Sequence, residues 1–396
     1  MKKILIVLSA ILVLFAAGGV LAEEGVTDKE ILVGAHHDLS GPLAGWSIPW
    51  IKGIEMRFKE INEAGGIHGR KLRYVYEDSK YDPKTAVMVT MKLLNHDKVF
   101  CFLSNAGSPT ALATKNMISE RKIPQMFPVT AADKFFKPHD RYSFLGATPY
   151  YDQGRALVKW FYKEKKYKKY GVIYQDDEMG ATQTEGVRDQ VAQYPDCKVV
   201  ASVSFKRGAT DFSSQIAKLK MANPDVLIAS AVIREPVGIM KELARIGWKI
   251  EMGGFSSSQN QLIPTLAEKS GISADGFYSS SQVPLVYEDS PIPFVRTWFK
   301  KYKSIYGIDP DTPAAYGYSS AEMLAIALEK AGPQLTREKL VDSLEKNFKG
   351  YKNQFGAPPL TFTPTDHKGM AGAVIQQIQK GKYRTVSTDF VDWTKP

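Results

Sequence analysis

Strand-like and helix-like segments alternate along most of this 396-residue sequence, and the alternation starts again near its middle. Short strand-like runs, such as residues 31–34, 125–129 and 198–205, alternate with stretches that have apolar side chains at spacings of three and four, which are typical of helices. Helices are predicted, for example, from about Trp50, from Pro83 and over residues 293–306. The pattern restarts at residues 170–174, and helices dominate a third section that begins at Gly276. Alternation of this kind predicts parallel sheets with helices on both faces.

The repeated pattern predicts two domains, because a chain of this length exceeds what a single hydrophobic core usually organises. We expect an α/β fold with two doubly wound lobes joined by crossing hinge strands. The last segments return to the earlier units, and residues 372–386 alternate like a β-hairpin. The predicted first lobe comprises residues 23–146 and 277–355, and the predicted second lobe comprises residues 147–276 and 356–396.

The N-terminus has the pattern of a secretory signal. Lys2 and Lys3 precede an apolar run at 4–15, and small residues then lead to Ala22. The run is shorter than the about 20 residues that span a bilayer, so residues 1–22 are predicted to be a cleaved signal peptide. No cysteine follows the run, so we expect no lipid attachment there. The sequence therefore predicts an exported, unanchored protein of a Gram-negative periplasm.

The positive charge of the chain does not indicate a nucleic-acid partner. The formal charge of +10 includes Lys2 and Lys3, which would leave with the signal peptide. The remaining lysines are spread along the chain, apart from a cluster at 163–169. That cluster falls at a predicted helix end, where cations complement the helix dipole. We interpret it as a solvated helix terminus.

Side chains that bind metals or form disulfides are sparse. The two cysteines, Cys101 and Cys197, fall in predicted strands of different units, so two free thiols are expected even in an oxidising compartment. The six histidines are scattered, and neighbouring His36 and His37 would point to opposite faces of a strand. The sequence therefore predicts no metal and no cofactor.

Catalytic motifs are missing from the sequence. It contains no G-x-S-x-G elbow, no H-E-x-x-H, no C-x-x-C and no G-x-x-x-x-G-K-[ST] loop. The glycine-rich segment 65–69 lacks the G-x-G-x-x-G spacing that holds a pyrophosphate. Since no nucleophile, base and orienting group can be assembled from these residues, we predict a binding protein rather than an enzyme.

Four segments carry a family resemblance. Residues 60–71 match the pattern E-I-N-x-A-G-G-I-x-G-R-x, and further matches lie at 39–44, 78–86 and 211–220. In this order, and behind a predicted signal peptide, they resemble the leucine/isoleucine/valine-binding family of type I periplasmic binding proteins over nearly the whole mature length. The resemblance implies that fold and the substrate-binding role in an ABC importer. Fold alone does not give function, which depends on the residues of the binding site.

Loops at the carboxyl ends of the strands are the candidate site, because ligands of open α/β sheets bind there. In the loop 104–110, Ser108 and Pro109 open a helix whose free N–H groups would attract a carboxylate. The resemblance implies the same role, since the family holds the ligand's carboxylate with a serine or threonine at the position of Ser108; an ordinary helix cap is the alternative. The residues predicted to bind ligand are Trp46, Ser108, Thr110, Thr130, Ala131, Asp133, Met179, Ile233 and Phe255.

The resemblance leaves the chemistry of the ligand open. It places Thr130 and Asp133 in a loop that holds the charged end of the ligand, with Asp133 in place of the usual serine or threonine. Phe255 stands where leucine-binding members have a glutamate that pairs with the ligand's ammonium. Together with Trp46 and Met179, Phe255 would form an apolar, partly aromatic wall, although each of these residues has packing alone as an alternative role.

We therefore predict the periplasmic substrate-binding component of an ABC importer. It would close its two lobes on a branched-chain or hydrophobic amino acid or a similar small carboxylate. An aromatic or aliphatic carboxylate that lacks an ammonium is the alternative ligand, and a sensing receptor that feeds a signalling partner is the alternative role. The expected partners are the small ligand and a permease in the inner membrane, and the protein is expected to be a monomer.

Overall fold

The computed structural model describes residues 23–282, 285–387 and 391. The predicted signal peptide lies outside these residues, so its cleavage stays a prediction. Two β-sheets organise two lobes, which we call the first lobe and the second lobe in chain order. None of the described helices combines the length and the apolar character needed to cross a membrane.

The first lobe is built on a five-stranded parallel sheet. Its strands are β1 (Glu30–His37), β2 (Lys71–Asp78), β3 (Cys101–Leu103), β4 (Gln125–Met126) and β5 (Ser143–Phe144). They are ordered β2-β1-β3-β4-β5, and β1 is buried from Val33 to His37 because it lies between β2 and β3. The helices that follow the first three strands are α1 (Ala44–Glu63), α2 (Pro83–Asn95) and α3 (Ser108–Ser119).

The second lobe is built on a seven-stranded sheet. Its strands are β6 (Lys169–Gln175), β7 (Lys198–Phe205), β8 (Val226–Ser230), β9 (Glu251–Phe255), β10 (Phe277–Ser281), β14 (Val374–Gln379) and β15 (Lys382–Thr385). The order is β15-β14-β10-β9-β8-β6-β7, with β14 and β15 as an antiparallel hairpin at one edge. Its helices are α4 (Tyr150–Trp160), α5 (Glu178–Ala192), α6 (Ser213–Ala222), α7 (Arg234–Arg245) and α8 (Leu262–Lys269).

The chain then returns to the first lobe. The returning helices are α9 (Pro293–Tyr306), α10 (Thr312–Ala331) and α11 (Arg337–Asn347), and a small antiparallel sheet follows with β11 (Lys349–Tyr351), β12 (Leu360–Thr363) and β13 (Asp366–Met370). The α10 helix packs along α1. The small sheet joins β5, since the Leu145 and Gly146 amides donate to the carbonyls of His367 at 2.9 Å and Lys368 at 3.0 Å.

Sheet membership differs from the predicted lobe division at two places. The strand β10, predicted to belong to the first lobe, pairs in parallel with β9 of the second sheet. The strands β12 and β13, predicted to belong to the second lobe, lie beside β5 of the first. A periodic sequence pattern identifies a strand without identifying its pairing partner, which explains both differences. The residue boundaries of the lobes stay a prediction.

Helix starts follow local sequence signals, with one informative exception. The α2 helix begins at Pro83 as predicted, and the Asp82 carboxylate accepts from the Thr85 amide at 2.8 Å. The α1 helix was predicted to begin near Trp50 but begins at Ala44. Pro49 lies inside it and has no amide hydrogen, so the fourth preceding carbonyl, that of Gly45, lacks its usual partner. The Gly45 carbonyl is therefore available to the second lobe.

Candidate functional site

A cavity lies between the two lobes at the carboxyl ends of their strands. The space between its lining atoms is about 770 Å³, part of which is open to solvent, a size typical of small-molecule sites. The first lobe lines it with Leu43, Trp46, Trp50, Tyr81, Gly107, Ser108, residues 127–131, residues 145–147, Tyr316, Ser319, Ser320, Met323, Asn353 and Met370. Tyr150, at the start of α4, and Met179, Val232, Ser256, Ser257 and Gln282 complete it.

Three hydroxyl groups converge on one side of the cavity. Ser108 Oγ and Thr130 Oγ1 lie 2.6 Å apart, and the Thr130 hydroxyl also accepts from the Ala132 amide at 3.1 Å. Burial raises the pKa of Tyr150 to about 12, while hydrogen bonding at Ala131, Ser108 and Thr130 acts in the opposite direction. Tyr150 is therefore a neutral donor at physiological pH. We call Ser108, Thr130 and Tyr150 the hydroxyl cluster.

Ser108 does not cap the helix that it opens. The N-cap of α3 is Gly107, whose φ of 91° is accessible to glycine at little cost, and Ser108 is the first helical residue. A side chain at Gly107 would also collide with Tyr81 and Thr110. The Ser108 hydroxyl is thus directed to Thr130 beside the N-terminus of α3, where the helix dipole favours an anion. The arrangement suits a carboxylate.

Aromatic rings form the wall next to α1. Trp50 and Tyr316 are stacked, with ring centroids 5.0 Å apart and an interplanar angle of 2°. Trp46 lies 6.2 Å from Tyr316 and is tilted against it. The Trp46 indole nitrogen donates to the Ser257 carbonyl of the second lobe at 3.0 Å. This wall can therefore cover an apolar ligand, and one of its rings also joins the two lobes.

The carbonyl left free by Pro49 contributes to the contact between the lobes. The side-chain amide of Asn260, in the second lobe, approaches the Gly45 carbonyl of α1 at 3.4 Å. A side chain at Gly45 would place its Cβ 2.9 Å from Cδ1 of Ile233, so glycine permits this close approach. A proline and a glycine in one turn of α1 thus prepare a docking surface for the second lobe.

Charged groups also meet across the lobe interface, at the margin of the cavity. The guanidinium of Arg207 donates to the Tyr81 carbonyl at 2.8 Å and lies 4.7 Å from the centroid of the tyrosine ring. Lys134 pairs with Glu178 at 2.6 Å. These contacts hold the lobes together around the cavity, and the exposed Lys134–Glu178 pair is the weaker kind of contact.

The described part of the lining carries no formal charge. Among the described residues that line the cavity there is no aspartate, glutamate, lysine, arginine or histidine. Asp133 lies 3.8 Å from Lys137, and burial raises the pKa of its carboxyl to about 6. Asp177 accepts from the amides of Met179 and Gly180. An ammonium group in the cavity would therefore meet hydroxyl and carbonyl dipoles but no carboxylate.

Glu235 is a buried carboxylate near the cavity with one unpaired oxygen. It is buried at the start of α7, and its Oε2 atom has no partner among the described residues. Burial raises the pKa of this carboxyl, and backbone hydrogen bonds at the start of α7 act against that rise. Glu235 does not line the cavity, whereas Val232, three residues earlier, does.

The structure brings five of the predicted ligand-binding residues to the cavity. Those that line it are Trp46, Ser108, Thr130, Ala131 and Met179. Thr110 is instead buried and donates to the carbonyls of Gly107, at 3.0 Å, and Ala106. Asp133 lies outside the lining, as described above, and Ile233 faces Gly45 across the lobe interface. Their predicted contacts with a ligand stay untested by this geometry.

Phe255 is placed in a hydrophobic core rather than in the cavity. It ends β9 and packs in the cluster that includes Phe161 and Tyr278. Ser256 and Ser257, the next two residues, line the cavity instead. The strand ends at Phe255, and the 3-10 turn at Ser256–Ser258 carries the following side chains from the core to the cavity. The apolar wall predicted from Phe255 is therefore formed by other residues.

Sequence reasoning missed several lining residues. Ser256 and Ser257 directly follow the carboxyl end of β9, and ligands of open α/β sheets bind at such strand ends, so their position offered a signal. Tyr150 follows Pro149 at a helix start, which is the same kind of signal that identified Ser108. Tyr316 had no such signal, because an aromatic residue at helical spacing looks like any core residue.

Comparisons with known proteins agree with this geometry. The model of the family described as "Periplasmic binding protein" matches residues 30–382. The Leu/Ile/Val-binding protein homolog 1 of Brucella suis is 24% identical over 367 residues, which cover 92% of this chain and 95% of that protein.

Solved structures show the same fold at low sequence identity. A fatty acid ABC transporter substrate-binding protein from Thermomonospora curvata superposes with a TM-score of 0.85, 24% identity and coverage of 96% of this chain and 97% of that one. A branched-chain amino acid ABC transporter protein from Thermus thermophilus with bound valine superposes with a TM-score of 0.82 and 20% identity, and the match covers 94% of this chain and 98% of that one. The predicted two-lobed α/β fold and the family resemblance are therefore confirmed.

Proposed function

Because this chain belongs to the periplasmic binding protein family, we propose that it is the substrate-binding component of an ABC importer for a hydrophobic carboxylate that lacks an ammonium group. The predicted signal peptide and the two-lobed cavity support a receptor that is exported and closes on its ligand. N-terminal sequencing of the mature protein, expected to begin at Glu23, tests the export. An inner-membrane permease and a monomeric receptor remain part of the proposal.

The hydroxyl cluster supports binding of an anion. Ser108, Thr130 and Tyr150 offer neutral donors beside the N-terminus of α3, which attracts negative charge. Hydrogen bonds from neutral groups to a charged oxygen are stronger than those between two neutral groups. A carboxylate bound here would be held without a cationic side chain, as the uncharged lining requires.

The uncharged lining is the observation that carries the choice of ligand. An α-amino acid brings an ammonium group, and burying such a charge without an anionic partner is costly. The carboxylates near the cavity lie outside its lining, and Asp177 and Asp133 already have partners. The aromatic rings and Met179 offer instead an apolar surface for a hydrocarbon group. A relative that is named for fatty acid transport is consistent with this choice.

Ligand pairs that differ only in the amino group test the proposal. Leucine would be compared with 4-methylpentanoate, and phenylalanine with 3-phenylpropanoate, by calorimetry on protein freed of bound ligand. We expect each plain carboxylate to bind at least about tenfold more tightly than its amino acid, because the unpaired ammonium loses its hydration. The corresponding primary amides should bind weakly, since they lack the charge that the hydroxyl cluster would hold.

Tighter binding of leucine than of 4-methylpentanoate would overturn the proposed ligand class. In that case Glu235→Gln identifies the ammonium partner, because Glu235 is the buried carboxylate with an unpaired oxygen. A fall in leucine affinity in this variant would assign the protein to amino acids. Glu268→Gln, on the exposed surface of α8, is the matched control. It should change the affinity neither for leucine nor for 4-methylpentanoate.

A further inference from the structure

The cavity continues past the hydroxyl cluster into the first lobe. Four residues of α10 line it: Tyr316, Ser319, Ser320 and Met323. The last three lie three, four and seven residues after Tyr316, so all four are on one face of the helix. At a rise of about 1.5 Å per residue, this face follows the cavity for about 10 Å. The cavity is therefore elongated along the axis of α10.

The elongation runs away from the second lobe. At the start of α10, the Thr312 amide donates to the side chain of Gln261, a second-lobe residue, at 2.9 Å. Near the other end, the Glu329 carbonyl lies 3.0 Å from the Nε2 atom of His68 in the first lobe. Tyr316 thus lies near the lobe interface, and Met323 lies two turns deeper in the first lobe.

The deep part of the cavity is mainly apolar. Phe127 and Leu145, which follow β4 and β5, and Met370 at the end of β13 face it together with Met323. Ser319 and Asn353 contribute its polar atoms, and no charged side chain among the described residues lines it. We call the space between these six residues the inner chamber. Water gains few hydrogen bonds in such a space, so an apolar group fits it better.

One stretch of chain connects the hydroxyl cluster to the inner chamber. Residues 127–131 all line the cavity, with Thr130 in the hydroxyl cluster and Phe127 in the inner chamber. Three residues of chain span at most about 10 Å. A ligand with its carboxylate at the hydroxyl cluster can therefore place a tail along this stretch and along α10.

We propose that the inner chamber binds the tail of an elongated acyl chain, so that the receptor prefers longer straight-chain carboxylates over short ones. This inference rests on the proposed function, because it assumes a carboxylate at the hydroxyl cluster. Each methylene group that moves from water into the chamber contributes about fourfold to affinity. The preference ends where the tail meets Ser319 and Asn353.

These two residues form the border with a second, smaller pocket of about 180 Å³. Both line it, and the other residues there include Glu322 and Tyr351. The Glu322 carboxylate pairs with Arg57 at 2.5 Å, so the far side of the border is polar. A hydrocarbon tail gains nothing by passing this point, which sets an upper limit to the useful chain length.

Calorimetry with butanoate, hexanoate, octanoate and decanoate, at concentrations below micelle formation, tests the inference in the wild-type protein. We expect the affinity to rise by up to about 250-fold from butanoate to octanoate, about fourfold for each of the four methylenes that enter the chamber, and then to level off. Equal affinities across the series would overturn the inner chamber and leave the proposed function standing. Failure of every carboxylate to bind would overturn both.

A variant that fills the chamber localises the effect. Ser319→Leu adds an apolar side chain at its wall, so the ratio of octanoate to butanoate affinity should fall toward one. Ser304→Leu makes the same change on the exposed surface of α9 and should keep the wild-type ratio. If a folded Ser319→Leu protein kept the wild-type ratio of octanoate to butanoate affinity, the acyl tail would not bind in the inner chamber. If that variant does not fold, the wild-type series decides the inference alone.

Discussion

The two walls of the cavity differ in what they offer a ligand. The first lobe supplies two members of the hydroxyl cluster, the stacked Trp50–Tyr316 pair and the inner chamber. The second lobe supplies a few uncharged side chains, among them Met179 and Val232. Most of the groups that distinguish one ligand from another therefore lie on the first-lobe wall.

The difference indicates a division of labour between the lobes. A ligand can form its polar contacts on the first lobe before closure, whereas contacts such as that of Trp46 with Ser257 require both lobes. Substitutions in the first-lobe wall should alter the affinity and the choice of ligand. Changes in the contacts between the lobes should alter how long the closed state lasts. Three variants test this division, in order of expected effect on affinity.

Ser108→Ala should have the largest effect. A hydrogen bond to a charged group contributes about 1.5–3 kcal/mol, so the affinity for 4-methylpentanoate should fall about 10- to 100-fold in calorimetry. The free energy of unfolding without ligand should fall by only about 1 kcal/mol, because the variant loses the hydrogen bond to Thr130 but no helix cap, since Gly107 is the N-cap of α3. Ser213→Ala is the control, since Ser213 also opens a helix, α6, and does not line the cavity. Lost stability at unchanged affinity would make Ser108 purely structural.

Trp46→Phe should have an intermediate effect that appears in the dissociation rate. The variant keeps a ring in the wall but loses the hydrogen bond to Ser257, which contributes about 1 kcal/mol, or about fivefold. Since this bond joins the closed lobes, stopped-flow measurements should show faster ligand release at a similar association rate.

Trp298→Phe is the matched control for this experiment. Trp298 is also buried in the first lobe, its indole nitrogen has no partner among the described residues, and it does not line the cavity. Its replacement should leave the release rate unchanged. If both variants released ligand at the wild-type rate, the interlobe hydrogen bond would have no part in retaining the ligand.

Asp133→Asn should have the smallest effect on affinity and a pH-dependent effect on stability. Asp133 lies outside the lining, and burial raises the pKa of its carboxyl from 3.8 to about 6. The folded protein therefore binds this proton more tightly than the unfolded chain does, and stability is lost as the pH rises from about 4 to about 6. The ionised group then destabilises the fold at neutral pH.

Asp133→Asn should raise the melting temperature more at pH 7.5 than at pH 4.5. The affinity of the variant for 4-methylpentanoate should be similar to that of the wild type at both pH values. Melting curves of the wild type and the variant at the two pH values measure this. An equal shift at both pH values would show that the ionisation of Asp133 is not responsible. A large loss of affinity for the carboxylate ligand would instead show that Asp133 contacts the ligand, as the sequence predicted.

Much of the fold could be predicted from the sequence, because its signals are local. The strand at Lys198–Phe205 and the helix at Pro293–Tyr306 have the predicted limits. Apolar periodicity and an opening proline depend on residues within a few positions of each other. The short strands β4 and β5 have two residues each, too few to show a period, and the prediction accordingly gave β4 a longer span and omitted β5.

The candidate site was predictable only in part. The proline that follows Ser108 indicates a helix start from neighbouring residues alone, and Ser108 lines the cavity as expected. The prediction of Phe255 was one residue away from Ser256, which faces the cavity. The strand β9 ends at Phe255 and a 3-10 turn follows at Ser256–Ser258, so which side chain faces the cavity depends on how this turn packs between the sheet and the lobe interface. The sequence pattern does not contain that information.

The sequence by itself determined the alternation of strands and helices, the helix starts that a proline marks, such as Pro83, and the family. Only the tertiary structure decided which side chains meet, because that depends on the packing of segments far apart in the chain. Tyr316 stacks on Trp50 from a helix that the chain reaches after passing through the second lobe. The same return of α10 to the first lobe supplies one wall of the inner chamber. Local periodicity places a residue on a face of its helix, and the fold alone determines what that face contacts.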